Sequence, residues 1–298
     1  MKEKLVSAVL QRSASPEAVF WDTVKTMLAN DHLRSRPWTR ETVDRMNMEK
    51  SLAVYRDRFS NAGDFTFVFT GNFKLDEIKP LILTYIASLP DSGKRETVKD
   101  LGMSPAPGQL KKQVILGKDP KSMVMLVYHG GFSWTLQQVA VLKAITEIMN
   151  IRLTDAVREN SSGAYTIQAW DHPKRVPRQE LTFNIFFGCE PGRVNELTTL
   201  VVREIELLAA KGITDQELAK VKEILAKERE VDLTDNSIWA ELIKNYRIYS
   251  EPFDKITQLQ EEYAKLTKTD IQTAVKKYLN DDNFKLLSLY PEGFKPGN

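Results

Sequence analysis

Apolar positions along this chain recur with two periods, and the change between them marks the elements. From Thr135 to Arg158, Val139, Leu142, Ile145, Met149, Leu153 and Val157 fall three or four apart, the stripe of a long amphipathic helix. Lys112 to Leu116 and Met123 to Tyr128 predict strands before it. The second is almost continuously apolar and so reads as central in a sheet. After the helix, Tyr165 to Trp170 and Leu181 to Phe187 predict two more strands, joined through Pro173 and Pro177 as a hairpin. Helices follow over Arg193–Ala210 and Asp215–Val231. Gly212 stops the first, and Thr214 with Glu217 forms a capping-box signature for the second. Further helices are predicted from about Ser237 to Tyr249 and from Asp270 to Leu279, the latter capped by Thr269 and Gln272. Phe284–Leu289 is a final strand. This order is not the alternation of a doubly wound sheet. It predicts an α+β fold, a mostly antiparallel sheet with helices covering one face.

The first third is different. Pro16–Leu28 and Thr39–Phe59 read as helices, Phe65–Thr70 as a strand stopped by Gly71-Asn72, and Leu75–Leu89 as a short helix. One strand cannot make a sheet. Either it joins the sheet that follows, or its neighbours are absent, so residues 1–90 read as a partial domain. Proline and glycine crowd the next stretch, including Gly102-Met103-Ser104-Pro105-Ala106-Pro107-Gly108, which marks 91–109 as a linker and 110–298 as a complete domain.

Composition narrows the function classes. Across 298 residues, 42% are hydrophobic and 28% charged, ordinary for a soluble globular protein, and 42 Lys and Arg against 40 Asp and Glu leave a net charge of +2. No field of one sign favours nucleic acid. No window approaches the roughly 20 apolar residues of a membrane span. The N-terminal stretch is too interrupted for a signal peptide. Cys189 is the single cysteine, which excludes an intrachain disulfide, and its place in an apolar strand predicts an inert, buried thiol.

The candidate chemistry centres on Arg158 and Tyr165, on either side of the turn between the long helix and its strand. Facing the same way, they present two hydrogen-bond donors to a peptide carbonyl, an arrangement able to hold an extended peptide and stabilise an oxyanion. The plainer reading is a helix-ending arginine that favours the dipole and a strand tyrosine that packs. None of the three histidines, His32, His129 and His172, opens a metal-ligand spacing, so no zinc-binding set is visible. Lys174, Arg175 and Arg178 read as a solvated hairpin tip, and Trp134 and Trp170 as packing residues that could also line a groove.

Two stretches carry a family resemblance. Tyr55-Arg56-Asp57-Arg58-Phe59 followed by Phe65-Thr66-Phe67-Val68-Phe69-Thr70-Gly71-Asn72-Phe73, with a helix ending in Ser88-Leu89-Pro90, resembles the end of a domain in the pitrilysin/insulinase metallopeptidases. Arg158 followed by Tyr165 in Gly163-Ala164-Tyr165 resembles the arginine–tyrosine pair of that family's C-terminal half, in its bacterial zinc-protease branch. The resemblance runs from about Pro16 to Pro291. It implies the LuxS/MPP-like metallohydrolase fold and a clamshell of two halves. The N-terminal half carries His-x-x-Glu-His and zinc; the C-terminal half lacks them and contacts substrate. Carried over, Arg158 binds a substrate backbone carbonyl and Tyr165 donates to the scissile carbonyl oxygen.

The expected function is therefore a non-catalytic C-terminal portion of a zinc metalloendopeptidase, inactive alone. Its expected partners are the zinc-bearing half and an extended peptide, with no metal in this chain and zinc in the N-terminal half. The alternative is a structural or chaperone-like binding module that keeps the fold without the chemistry. A stand-alone hydrolase has the least support. By resemblance the compartment is the periplasm or cell envelope of a bacterium.

Overall fold

The computed structural model describes residues 2–159 and 164–295, and for Glu159, Ala164 and Tyr165 the backbone only. The elements run α1 (Lys2–Ala14), α2 (Pro16–Leu28), α3 (Arg40–Asp44), α4 (Met48–Phe59), α5 (Leu75–Tyr85), β1 (Leu110–Ile115), β2 (Ser122–Gly131) and α6 (Leu136–Glu159). They continue with β3 (Ala164–Lys174), β4 (Glu180–Cys189), α7 (Val194–Lys211), α8 (Asp215–Asp232), α9 (Asn236–Ile248), α10 (Gln258–Lys265), α11 (Lys268–Tyr278) and β5 (Phe284–Tyr290).

The sheet has the order β1-β5-β2-β4-β3. β2 is central and antiparallel to β4 and β5, β3 is antiparallel to β4, and only β1 pairs in parallel, with β5. The α+β reading therefore holds. One face, carrying Val124, Leu126, Tyr128, Phe183, Ile185 and Phe187, packs under α6, α7, α8 and α11 through residues such as Ile145, Met149, Val201, Leu225 and Val275. The other face is also covered in part. Phe20, Val24 and Met27 of α2 sit on Met125, Val127, Leu287 and Leu289. Burial on both sides is why β2 is apolar without alternation.

The rest of that second face is polar and lies under the linker. Ser104 donates to Glu180 at 2.6 Å, the buried Lys285 ammonium donates to the Gly108 carbonyl at 2.6 Å, and the Gly108 amide donates to Asn283 at 2.9 Å. Arg178 clasps Asp100 from the hairpin loop. The Pro/Gly-rich stretch is thus pinned to the sheet at several points, although it carries no helix or strand from 91 to 109.

Several sequence expectations need correction. Phe65–Thr70 lies in no strand: it enters no ladder, because no described strand runs beside it. The helix expected over Thr39–Phe59 is two helices, since the side chains of Thr39 and Asn47 each cap a new start by accepting from the amides of Thr42 and Lys50. α11 begins earlier, on a capping box of Thr267 and Asp270 rather than Thr269 and Gln272. α1 and α10 were not legible. β3 runs on through Pro173, which the edge position of that strand permits.

Candidate functional site at the start of the edge strand

The helix–strand junction singled out in the sequence lies at one end of the sheet. α6, 24 residues long, spans roughly 36 Å and delivers Arg158 to its last turn, exposed to solvent. A cation there opposes the partial negative charge of the helix end. Tyr165 is the second residue of β3, whose outer side no strand covers. The side chain of Tyr165 and the turn residues 160–163 lie outside the described residues. On the backbone, β3 advances two residues between Ala164 and Thr166 while β4 advances one, from Cys189 to Gly188, so Tyr165 is the extra residue of a bulge. Bulges turn a strand locally and re-aim the side chain they carry.

Further along, the open edge of β3 is occupied. Asn150 of α6 accepts from the Ala169 amide at 2.7 Å and donates to the Ala169 carbonyl at 3.1 Å, as a neighbouring strand would. Thr146 and Lys143 donate to the nearly buried Asp171 at 2.9 and 3.2 Å and fix the same strand to the same helix. By the two-residue alternation of a strand, Ile167 turns its amide and carbonyl to the same side as Ala169. The Asn150 clasp thus falls on Ala169, the next outward-facing residue after Ile167 counting from the bulge. A groove of about 250 Å³ between α6 and α8 adjoins this end, lined in part by Arg152, Asp155, Glu217 and Lys220. Its floor is fixed: Arg152 donates to Glu217 at 2.9 Å and to the Gly212 carbonyl at 3.1 Å. Burial alone would raise the Glu217 carboxyl; hydrogen bonds from Thr214 and Arg152 outweigh it and hold it below the usual range.

The other candidates fall into structural roles. Cys189 is fully buried, and burial pushes its thiol up to about 12. Burial and the Lys285 charge push His129 down to about 4, so its imidazole is neutral near pH 7. Among the described residues no group of three His, Cys, Asp or Glu could hold a metal ion. The basic residues expected as a solvated hairpin tip are instead paired. Lys174 bonds Glu180 at 3.2 Å, Arg178 pairs with Asp100, and Arg175 pairs with Glu251 while stacking between Trp134 (3.7 Å) and Tyr249 (4.1 Å). Trp170 packs in the second-face core.

A sequence match over residues 45–225 is to the Peptidase M16 inactive domain. The chain belongs to that family. This inactive domain is 27% identical over 235 residues to "Probable zinc protease PqqL" of Escherichia coli (strain K12), covering 77% of the chain and 25% of that protein. Its fold matches the periplasmic protease PqqL from Escherichia coli with a TM-score of 0.81 at 24% identity, over 98% of this chain and 32% of that one. A peptidase M16 inactive domain from Pseudomonas fluorescens matches equally, TM-score 0.81 at 16% identity, over 100% of this chain and 71% of that one. The chain thus spans about a quarter of the length of the curated relatives it matches. No helix among the described residues is long and apolar enough to cross a membrane.

Asn150 is the residue of this inactive domain that sequence reasoning missed. It interrupts the apolar run between Met149 and Ile151, and an amide at the margin of a buried helix stripe is the only signal it leaves.

Proposed function

We propose that residues 1–298 act as the non-catalytic C-terminal portion of a zinc metalloendopeptidase, binding extended peptide and completing the active site of a zinc-bearing half. The observation that carries this reading is the open edge of β3 beside Ile167, next to the helix end that bears Arg158. A peptide laid along it gains main-chain hydrogen bonds, as in strand addition. Asn150 closes the edge at Ala169 and so limits how far the peptide can pair. Arg158 then donates to a substrate carbonyl. Tyr165, on the bulge, donates to the scissile carbonyl oxygen as it becomes an oxyanion. Zinc and the general base belong to the partner half. By analogy with the periplasmic relative, the working compartment is the periplasm or cell envelope.

The test is hydrolysis of a quenched fluorescent peptide by the zinc-bearing half with and without this chain, each also assayed alone. Activity only on mixing, abolished by a chelator, supports the reading. Association without activity would favour the structural or chaperone-like module, a reading to which the exposed apolar surface of residues 48–89 lends independent weight.

A further inference from the structure

Residues 100–108 cross the second face of the sheet as a strap with no helix or strand of their own. Among the described residues no backbone–backbone hydrogen bond engages them, and a short set of polar contacts holds them down. Ser104 donates to Glu180, the Gly108 amide donates to Asn283, the Lys285 ammonium donates to the Gly108 carbonyl, and Asp100 pairs with Arg178. A segment held by so few contacts opens at lower cost than the sheet beneath it.

His129 lies under this strap. A cavity of about 300 Å³ is lined by Ser104, Pro105 and Pro107 from the strap and by His129, Gly130 and Glu180 from the sheet. The imidazole Nε2 is shielded from solvent and has no hydrogen-bond partner among the described residues. Strand register sets the charges around it. Lys285 of β5 stands opposite Val127, two residues from His129 on the same face. Thr182 of β4 stands opposite His129, with Glu180 two residues away; His172 and Lys174 of β3 stand opposite those two. Asp281 and Asp282 lie in the turn before β5 that receives the end of the strap, through the Asp281 carbonyl and Asn283. Glu180 is already engaged by Ser104 and Lys174, and Asp100 by Arg178. A proton on His129 beneath the closed strap therefore adds a second positive charge near Lys285 in a desolvated place, whereas with the strap open water solvates both.

We propose that the strap 100–108 is an acid-released latch, closed at neutral pH, which opens over an intact sheet when His129 takes up a proton. The inference is independent of the peptidase reading. Burial first and the Lys285 charge second lower the imidazole pKa to about 4 in the closed form, against an ordinary 6.5, with Glu180 opposing. Above 6.5 the imidazole is neutral in both forms; between 6.5 and about 4 the open form binds a proton that the closed form refuses. Opening then becomes easier by roughly tenfold per pH unit.

Amide exchange at Gly108 tests this, followed by NMR in the full chain and expressed as a protection factor, which removes the intrinsic pH dependence. Between pH 6.5 and 4.5 protection at Gly108 should fall roughly a hundredfold, in step with titration of the His129 imidazole, while Leu126 and Ile185 in the sheet keep theirs. His129→Gln puts a neutral polar side chain in the same place and should hold protection at Gly108 within about threefold over that range. His172→Gln should leave the fall intact. If His129→Gln does not fold, coincidence of the Gly108 and His129 titrations in the unaltered chain decides the matter, and separate midpoints overturn the latch. Loss of protection at Gly108 only together with Leu126 and Ile185 also overturns it. So does a fall that persists in His129→Gln, which would assign the acid response to Glu180 or Asp100, or one that vanishes in His172→Gln.

Discussion

The amide group of Asn150 clasps the backbone of Ala169 at two points, accepting from its N–H at 2.7 Å and donating to its carbonyl at 3.1 Å. One side chain from α6 therefore takes the place of a neighbouring strand along part of an open edge. Asn150→Ala strands both backbone groups, and we expect a loss of about 1–3 kcal/mol in urea denaturation. In the complete enzyme the same variant lengthens the edge available to substrate, so the distribution of cleavage sites should broaden when product peptides are mapped by mass spectrometry. A narrower or unchanged distribution would mean that the clasp is structural only.

Phe20 is wholly buried with its ring 6.2 Å from that of Phe186, which anchors α2 to the second face of the sheet. Phe20→Ala leaves a cavity there and should cost about 3–5 kcal/mol. Phe67→Ala, in the exposed segment, should stay within about 0.5 kcal/mol in the isolated chain. Parallel denaturant titrations of the two variants check the contrast.

The legibility of the chain followed the physics of its segments. β2 announced itself because both faces are buried, and α6 because one stripe is. Phe65–Thr70 carries an equally strong strand pattern, yet pattern reports what a segment would bury and not whether a partner is present. The break between α3 and α4 turns on the Asn47 cap, a single side chain inside an otherwise helical periodicity. α10 is eight residues of mostly polar sequence held by Tyr263, too short to show a period. At the candidate site, the helix end and strand start were visible as sequence neighbours. The Asn150 clasp joins residues 19 positions apart and needs the packed structure to be seen.

His129 gives the chain an acid-sensitive component. Its folded-state pKa is about 4 against an ordinary 6.5, lowered first by burial and then by Lys285, with Glu180 opposing. Above pH 6.5 the imidazole is neutral whether folded or unfolded, and its contribution to stability is fully present. As pH falls towards 4 the unfolded chain takes up a proton that the folded chain refuses, and stability declines through that window. His129→Gln should flatten this part of the profile, measured as the urea midpoint against pH.

Burial raises the Cys189 thiol to about 12, against an ordinary value of 9.0. A thiol-specific reagent at mildly alkaline pH should leave the folded chain unmodified and label one site after unfolding. Rapid labelling of the folded chain would show that the β3–β4 end of the sheet opens.

The central claim is that the bulge residue of β3 donates to substrate in a site completed by another half. It is tested most directly by steady-state kinetics of Tyr165→Phe in the complete zinc-bearing enzyme. The account predicts a fall in kcat of roughly a hundredfold or more, the size seen when one oxyanion donor is removed, with little change in KM. An unchanged kcat, with folding intact, would contradict it and leave Tyr165 a packing residue of an edge strand.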